Sequence, residues 1–145
     1  LAPITLALLA MLGLSRIMVH AGLIDTLAQA AAALSGQSYP LFAPIVGALG
    51  SFVTGSDTAS NILFADFQRA TAETLQISTL LLMGAQSLGS AIGNIICPHN
   101  IIAGSATVGI TGKEGEVLRV TLVACLIYAL FGGGLALGLH ALGLY

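Results

Sequence analysis

The sequence predicts an all-α integral membrane protein that contains a re-entrant helical hairpin and a discontinuous transmembrane helix. Three observations support this fold class. Of the 145 residues, 57% are hydrophobic and 7% are charged, whereas soluble domains carry about 25% charged residues. The mean hydropathy of +1.00 leaves too few polar groups to cover a surface in water. Two polar stretches, residues 54–61 and 94–100, interrupt otherwise apolar segments.

The first two segments predict helices of different kinds. A bilayer core of about 30 Å needs about 20 helical residues, so we interpret residues 1–15 as the end of a transmembrane helix that leaves the membrane near Arg16. Residues 16–35 alternate polar side chains such as His20 and Asp25 with aliphatic ones. This pattern is typical of an interfacial helix.

Residues 39–76 predict a helical hairpin that dips partway into the membrane. The apolar run before Thr54 covers only about 22 Å as a helix, and the chain becomes charged again at Asp66, Arg69 and Glu73. A full crossing, which is the alternative, would place charges in hydrocarbon at about 2.5 to 3.5 kcal/mol each. The hairpin avoids this cost.

Residues 77–111 predict a broken transmembrane helix. The stretch from Ile77 to Gly112 holds no Asp, Glu, Lys or Arg, and as one straight helix it would exceed about 50 Å. Pro98 removes a backbone donor, and Gly93 weakens the helix before it. We therefore expect half-helices near residues 78–96 and 99–110. An unpaired backbone at this depth is tolerated where it lines a polar cavity.

The last segment, residues 117–141, predicts a complete transmembrane helix. It follows the hydrophilic loop 112–116, and residues 120–139 carry no charge over a length that reaches about 30 Å. The glycines at 132–134 are interpreted as a place where another helix packs closely.

The two polar breaks predict a site for a small carboxylate. Helix N-termini offer free N–H groups with partial positive charge, and discontinuous membrane helices use them to bind anions without a buried lysine. Asp57 and His99 are the candidates for proton or ion coupling, and Gln86 and Ser87 are second-rank candidates. Helix capping is the structural alternative for individual residues. The predicted substrate-binding residues are Thr54, Gly55, Ser56, Thr58, Ser60, Asn61, Asn94, His99 and Asn100.

Other classes of function fit the sequence less well. A net charge of −2 without a basic cluster argues against nucleic acid as a partner. Cys97 and Cys125 lack metal-ligand spacing, so we expect neither a metal nor a cofactor. An intramembrane aspartyl protease needs a second carboxylate beside Asp57, and an assembly subunit needs no polar break. A transporter, whose C-terminal part this chain forms, is the interpretation that remains.

Three stretches resemble the lactate permease family. They are residues 15–18 with 22–24, the run Phe52–Asn61, and Cys97–Ile101 leading to residues 108–109 and 112–114. The resemblance implies a proton-coupled symporter for lactate, glycolate or similar 2-hydroxy monocarboxylates in a bacterial inner membrane, crossing it several times. It also implies that the chain is about the last quarter of the carrier, so that an N-terminal part completes the site. A sodium-coupled carboxylate or dicarboxylate carrier is the alternative.

Overall fold

The computed structural model describes residues 2–144, and the side chains of residues 9–144 except Met11. Its described part is helical without a strand, so the all-α prediction is confirmed. The helices are α1 (Ala2–His20), α2 (Leu23–Ser35), α3 (Ala43–Thr54), α4 (Asp57–Leu75), α5 (Thr79–Gly93), α6 (Pro98–Thr107) and α7 (Glu114–Ala141), with 3-10 helices over Gly36–Leu41 and Asn94–Ile96.

The first helix is longer than the sequence predicted. It continues through Arg16 to His20, where the His20 Nδ1 atom lies 2.7 Å from the Arg16 carbonyl oxygen. The chain then bends by 75° between Leu12–His20 and Leu23–Leu41, and these two pieces together are apolar enough to form one broken span. The interfacial position of α2 remains a prediction.

α3 and α4 form the predicted helical hairpin. α3 has 12 residues, which is about 18 Å and too short to cross a bilayer. Gly55 ends it with a φ of 70°, and its N–H donates to the Ser51 carbonyl at 2.7 Å. The Ser56 hydroxyl then caps α4 by accepting from the Ala59 N–H. The depth of this hairpin in the membrane remains a prediction.

The predicted break after α5 is present. The segment Thr79–Ile96 is long and apolar enough to cross a membrane, but its last turn is the 3-10 helix and Cys97 is extended. Pro98 occupies the first position of α6, where its missing N–H is not needed. α6 ends at Thr107, before the predicted residue 110, and Gly109 follows with a φ of 73°.

α5 crosses α3 in backbone contact, which fixes it to the hairpin. A Cβ atom at Gly47 would overlap the backbone of Gln86 and Ser90, and one at Gly89 would overlap Pro44. Small residues let membrane helices approach this closely. The hairpin that carries the first break and the helix that leads into the second break therefore form one packed unit, α3, α4 and α5.

α7 is the second helix that is long and apolar enough to cross a membrane, with 28 residues. Its packing against the rest depends on glycine: a Cβ at Gly133 would overlap the Leu41 carbonyl, and one at Gly132 would overlap the Leu88 side chain. The predicted packing role is confirmed at these two positions, while Gly134 faces open space. Large apolar side chains such as Ile127 and Phe131 remain exposed, as a lipid environment requires.

Candidate functional site

The two breaks meet, as the sequence predicted. The ring of His99 lies so close over Gly55 that a Cβ atom at Gly55 would overlap it. Asn100 of the second break donates from Nδ2 to the Gly55 carbonyl at 3.4 Å and to the Asn94 carbonyl at 3.2 Å. The starts of α4 and α6 therefore lie side by side. His99 and Asn100 are exposed, so this junction is open to a ligand.

Asp57 is held by two polar partners at the start of α4. Its Oδ1 atom accepts from the Asn61 Nδ2 at 3.1 Å, four residues along the helix, and from the Ser90 hydroxyl of α5. The Ser90 Oγ also lies 3.0 Å from the Asn61 Oδ1. Asp57 is half-buried and Ser90 is fully buried. Asp57 is therefore a half-buried carboxylate that accepts from two donors, and its oxygen atoms are of the kind that hard cations bind.

Ser90 is a functional candidate that sequence reasoning missed. Nothing in the order of the chain connects it to Asp57. One signal was available: Gln86 and Ser90 are four residues apart and share a face of α5. Both side chains point into the hairpin, where they contact residues of α4.

A ladder of buried side-chain hydrogen bonds lies under the site. Tyr39 donates to Gln68 at 2.9 Å, Gln68 donates to Gln86 at 2.8 Å, and Gln86 donates to the Ser60 hydroxyl at 3.3 Å. Ser60 in turn donates to the Gly47 carbonyl at 2.9 Å. Ser60 therefore lies inside the packed unit of α3, α4 and α5. The Gln86 side chain of α5 is bonded to α4.

Local capping accounts for two of the predicted binding residues. The Thr54 hydroxyl donates to the Gly50 carbonyl at 2.8 Å and accepts from the Ser56 N–H at 3.3 Å. The Ser56 hydroxyl caps α4. Thr58 is exposed on the first turn of α4, so its hydroxyl is better placed for a ligand.

The start of α6 has no side-chain cap. Cys97 occupies the N-cap position without a capping bond, and the first helical bond runs from the Ile101 N–H to the Cys97 carbonyl at 3.0 Å. The His99 ring does not cap the helix but lies with Nδ1 at 3.1 Å from the Cys97 Sγ. The N–H groups of His99 and Asn100 in the first turn of α6 therefore have no intrahelical acceptor, and free N–H groups of this kind can bind an anion.

The junction contains hydrogen-bond donors for an anion and one carboxylate, but few ligands for a transition metal. Among the described residues, no group of three or more His, Cys, Asp and Glu side chains lies close enough to hold a metal ion. The Ser90 hydroxyl oxygen does lie beside one oxygen of Asp57 and one of Asn61, which together form a cluster of oxygen atoms at the start of α4. A hard cation or a proton fits this donor set.

Comparison with known proteins identifies the family of the chain. The model of the L-lactate permease family matches residues 1–142. The chain belongs to the L-lactate permease family. It is 41% identical to the L-lactate permease of Escherichia coli K12 over 114 residues, which are 79% of this chain and 20% of that protein. It is 40% identical to the glycolate permease GlcA of the same organism over 110 residues, which are 76% of this chain and 20% of that protein.

A third relative comes from another bacterium. The L-lactate permease of Bacillus subtilis 168 is 40% identical over 90 residues, which are 62% of this chain and 16% of that protein. This member of the L-lactate permease family thus spans about a fifth of the length of the relatives that it matches. No solved structure matches it. The chain belongs to a permease family and has helices able to cross a bilayer. It is therefore part of a membrane transport protein.

Proposed function

We propose that this chain is the C-terminal part of a carrier that moves a small 2-hydroxy monocarboxylate, lactate or glycolate, together with protons across a bacterial inner membrane. The junction of the two breaks is the part of the substrate site that this chain contributes. The observation that carries the proposal is the contact of His99 and Asn100 with Gly55. The names of the relatives, lactate and glycolate permeases, supply the substrate class.

The junction binds the carboxylate through backbone donors. A carboxylate that leaves water must replace its hydration by donors of the protein, or the transfer is strongly unfavourable. The uncapped first turn of α6 supplies N–H groups with partial positive charge. Thr58, on the first turn of α4, and Asn100, on the first turn of α6, are both exposed, and we expect them to add polar contacts to the anion. The site therefore binds an anion without a fixed positive charge, so the anion is also released readily.

Asp57 is the group that we propose to couple substrate binding to proton uptake. An ionised Asp57 beside the bound carboxylate would repel it, because like charges at close range in a medium of low dielectric constant disfavour each other. Protonation of Asp57 removes the repulsion. The proton then travels with the substrate, since the carboxylate binds best after Asp57 has gained its proton. His99, whose ring lies over Gly55, is the second side chain of the junction that we propose for proton coupling.

Sodium coupling is the competing proposal, and the same cluster motivates it. The Ser90 hydroxyl oxygen lies within hydrogen-bond length of both the Asp57 carboxylate oxygen and the Asn61 amide oxygen. Hard cations prefer such oxygen ligands. A bound cation would neutralise Asp57 as a proton does, so geometry alone does not separate the two ions.

Uptake measurements distinguish proton coupling from sodium coupling. The full-length carrier is reconstituted into proteoliposomes, and uptake of radiolabelled lactate is followed with a pH gradient and a sodium gradient imposed one at a time. We expect accumulation with the pH gradient alone and none with the sodium gradient alone. Accumulation that follows only sodium would overturn proton coupling, and no lactate or glycolate uptake under either gradient would overturn the proposed function.

A further inference from the structure

Ser90 lies where the hydrogen bonds of α5 alone do not hold its backbone. It is among the last four residues of α5 (Thr79–Gly93), whose carbonyl groups have no partner within an α-helix. In a continuous helix the Asn94 N–H would bond to the Ser90 carbonyl, but here it bonds to the Ile92 carbonyl as the chain enters the 3-10 helix. The position of Ser90 therefore depends on a contact from another helix.

Ser51 of α3 makes that contact. Its hydroxyl donates to the Ser90 carbonyl, and both residues are 0% exposed. Small residues let α3 come this close, since a Cβ atom at Gly47 would overlap the Ser90 nitrogen and one at Gly93 would overlap the Ala48 backbone. A shift of the last turn of α5 would leave a buried hydroxyl and a buried carbonyl unpaired, which is unfavourable.

The hydroxyl of Ser90 contacts α4 from the same backbone position. Its Oγ atom donates to Asp57 Oδ1 and lies 3.0 Å from Asn61 Oδ1. One turn earlier on α5, the Gln86 amide donates to the Ser60 hydroxyl at 3.3 Å. Two successive contacts thus run from α5 to α4, and the one that reaches the carboxylate lies in the turn that α3 holds in place.

We propose that Ser51 is a positioning residue of the carrier, which holds the Ser90 carbonyl and thereby keeps the Ser90 hydroxyl against Asp57. The inference rests on the proposed function, because that function assigns coupling to Asp57. Ser51 acts through Ser90, since its hydroxyl bonds to the backbone of α5 and not to the carboxylate. If Ser51 only stabilised the crossing of α3 and α5, its loss would lower stability and leave coupling unchanged.

The test compares two rates in proteoliposomes that hold the full-length carrier: accumulation of lactate driven by an ion gradient, and exchange of internal for external lactate. In Ser51→Ala we expect the ratio of driven accumulation to exchange to fall about fivefold, the usual effect of one lost hydrogen bond. Thr71→Val is the matched control, because the Thr71 hydroxyl is also buried and donates to a backbone carbonyl, that of Phe67, at 2.9 Å. This variant should lower the melting temperature without changing the ratio.

A double variant shows whether Ser51 acts through Ser90. If it does, the ratio in Ser51→Ala/Ser90→Ala should equal that in Ser90→Ala within about twofold, because the effects of residues that act as a unit do not add. Ser51→Cys has nearly the size of serine but only a weak donor, so it should lower the ratio about threefold. If Ser51→Ala does not insert into the membrane, the Ser51→Cys ratio decides.

Two outcomes would overturn the inference while the proposed function stands. One is a wild-type ratio in Ser51→Ala, or in Ser51→Cys where that variant decides, and the other is a double variant whose ratio falls by the product of the two single effects. The ratio is measured with the gradient that drives uptake in the wild type, so the test holds for protons and for sodium. Failure of the wild-type carrier to take up lactate or glycolate would instead overturn the proposed function, and this inference with it.

Discussion

Asp57 is the residue on which the proposed coupling depends, and Asp57→Asn tests this role. The amide has the same shape and keeps its place between Asn61 and Ser90, but it cannot exchange a proton. We expect accumulation of lactate driven by a pH gradient to fall at least about tenfold. Exchange of internal for external lactate, which needs no net proton movement, should persist in the same proteoliposomes.

The matched control for this variant is Asp66→Asn. Asp66 lies on the same helix, and it forms an ion pair with the half-exposed Arg69 at 3.6 Å. Surface pairs of this kind contribute about 0 to 1 kcal/mol, so we expect uptake and insertion to be normal. Full gradient-driven accumulation in Asp57→Asn would show that Asp57 is a helix-terminal residue without a coupling role.

Gly55 holds the two breaks in contact, and Gly55→Ala should separate them. A side chain there overlaps the His99 ring and must also adopt a φ of 70°, which costs about 1 to 2 kcal/mol. We expect lower thermal stability and reduced uptake. The double variant with His99→Ala removes the overlap and should recover part of the stability, without recovering uptake. A Gly55→Ala carrier as stable and active as the wild type would contradict the contact.

At the scale of elements, the crossing of α3 and α5 positions Ser90 against Asp57, and Gly89→Ala tests it. The added Cβ overlaps the Pro44 backbone, and overpacking of this kind costs about 1 to 3 kcal/mol. We expect a lower melting temperature for the detergent-solubilised full-length carrier. Gly84→Ala on the same helix meets no atom within 4 Å and should leave that temperature unchanged. Equal melting temperatures for the two variants would argue against the crossing.

The buried ladder under the site gives a second prediction for these elements. Gln68→Leu leaves the Tyr39 hydroxyl and the Gln86 carbonyl oxygen without their partner. Each buried group left unpaired costs about 1 to 3 kcal/mol. We expect the variant to unfold at a lower temperature than the wild type, while Gln29→Leu on the exposed face of α2 should not. A stable Gln68→Leu carrier would mean that the ladder is dispensable.

The sequence predicted the elements of the site better than their connections. Both breaks were predictable, because polar groups in hydrocarbon and Pro98 have large local costs. The end of α1 was not, since a long side chain such as Arg16 can reach the interface from inside a helix and so does not mark its end. The bonds of Asp57 to Ser90 and of Gln68 to Gln86 depend on how α4 and α5 cross. The order of polar and apolar residues along the chain does not predict how these two helices cross.

At the scale of the whole molecule, the described helices form one wall of the proposed site. α3, α4 and α5 are joined by backbone contact and by the ladder, whereas α6 reaches the hairpin through the junction of the breaks. The unit of α3 to α5 is thus expected to move as one body during transport, and α6 is the element that can shift against it. We propose that the remainder of the longer carrier closes the site.

The central claim is that both breaks form a single substrate site, and protection of cysteines by substrate tests it most directly. Thr58→Cys on α4, Asn100→Cys on α6 and Thr111→Cys in the hydrophilic loop are introduced one at a time into a cysteine-free full-length carrier, all at exposed positions. The rate of maleimide labelling is then measured against lactate concentration. We predict that lactate slows labelling at positions 58 and 100 with the same half-saturating concentration and leaves position 111 unaffected. Protection at only one of the two breaks, or at neither, would contradict the account.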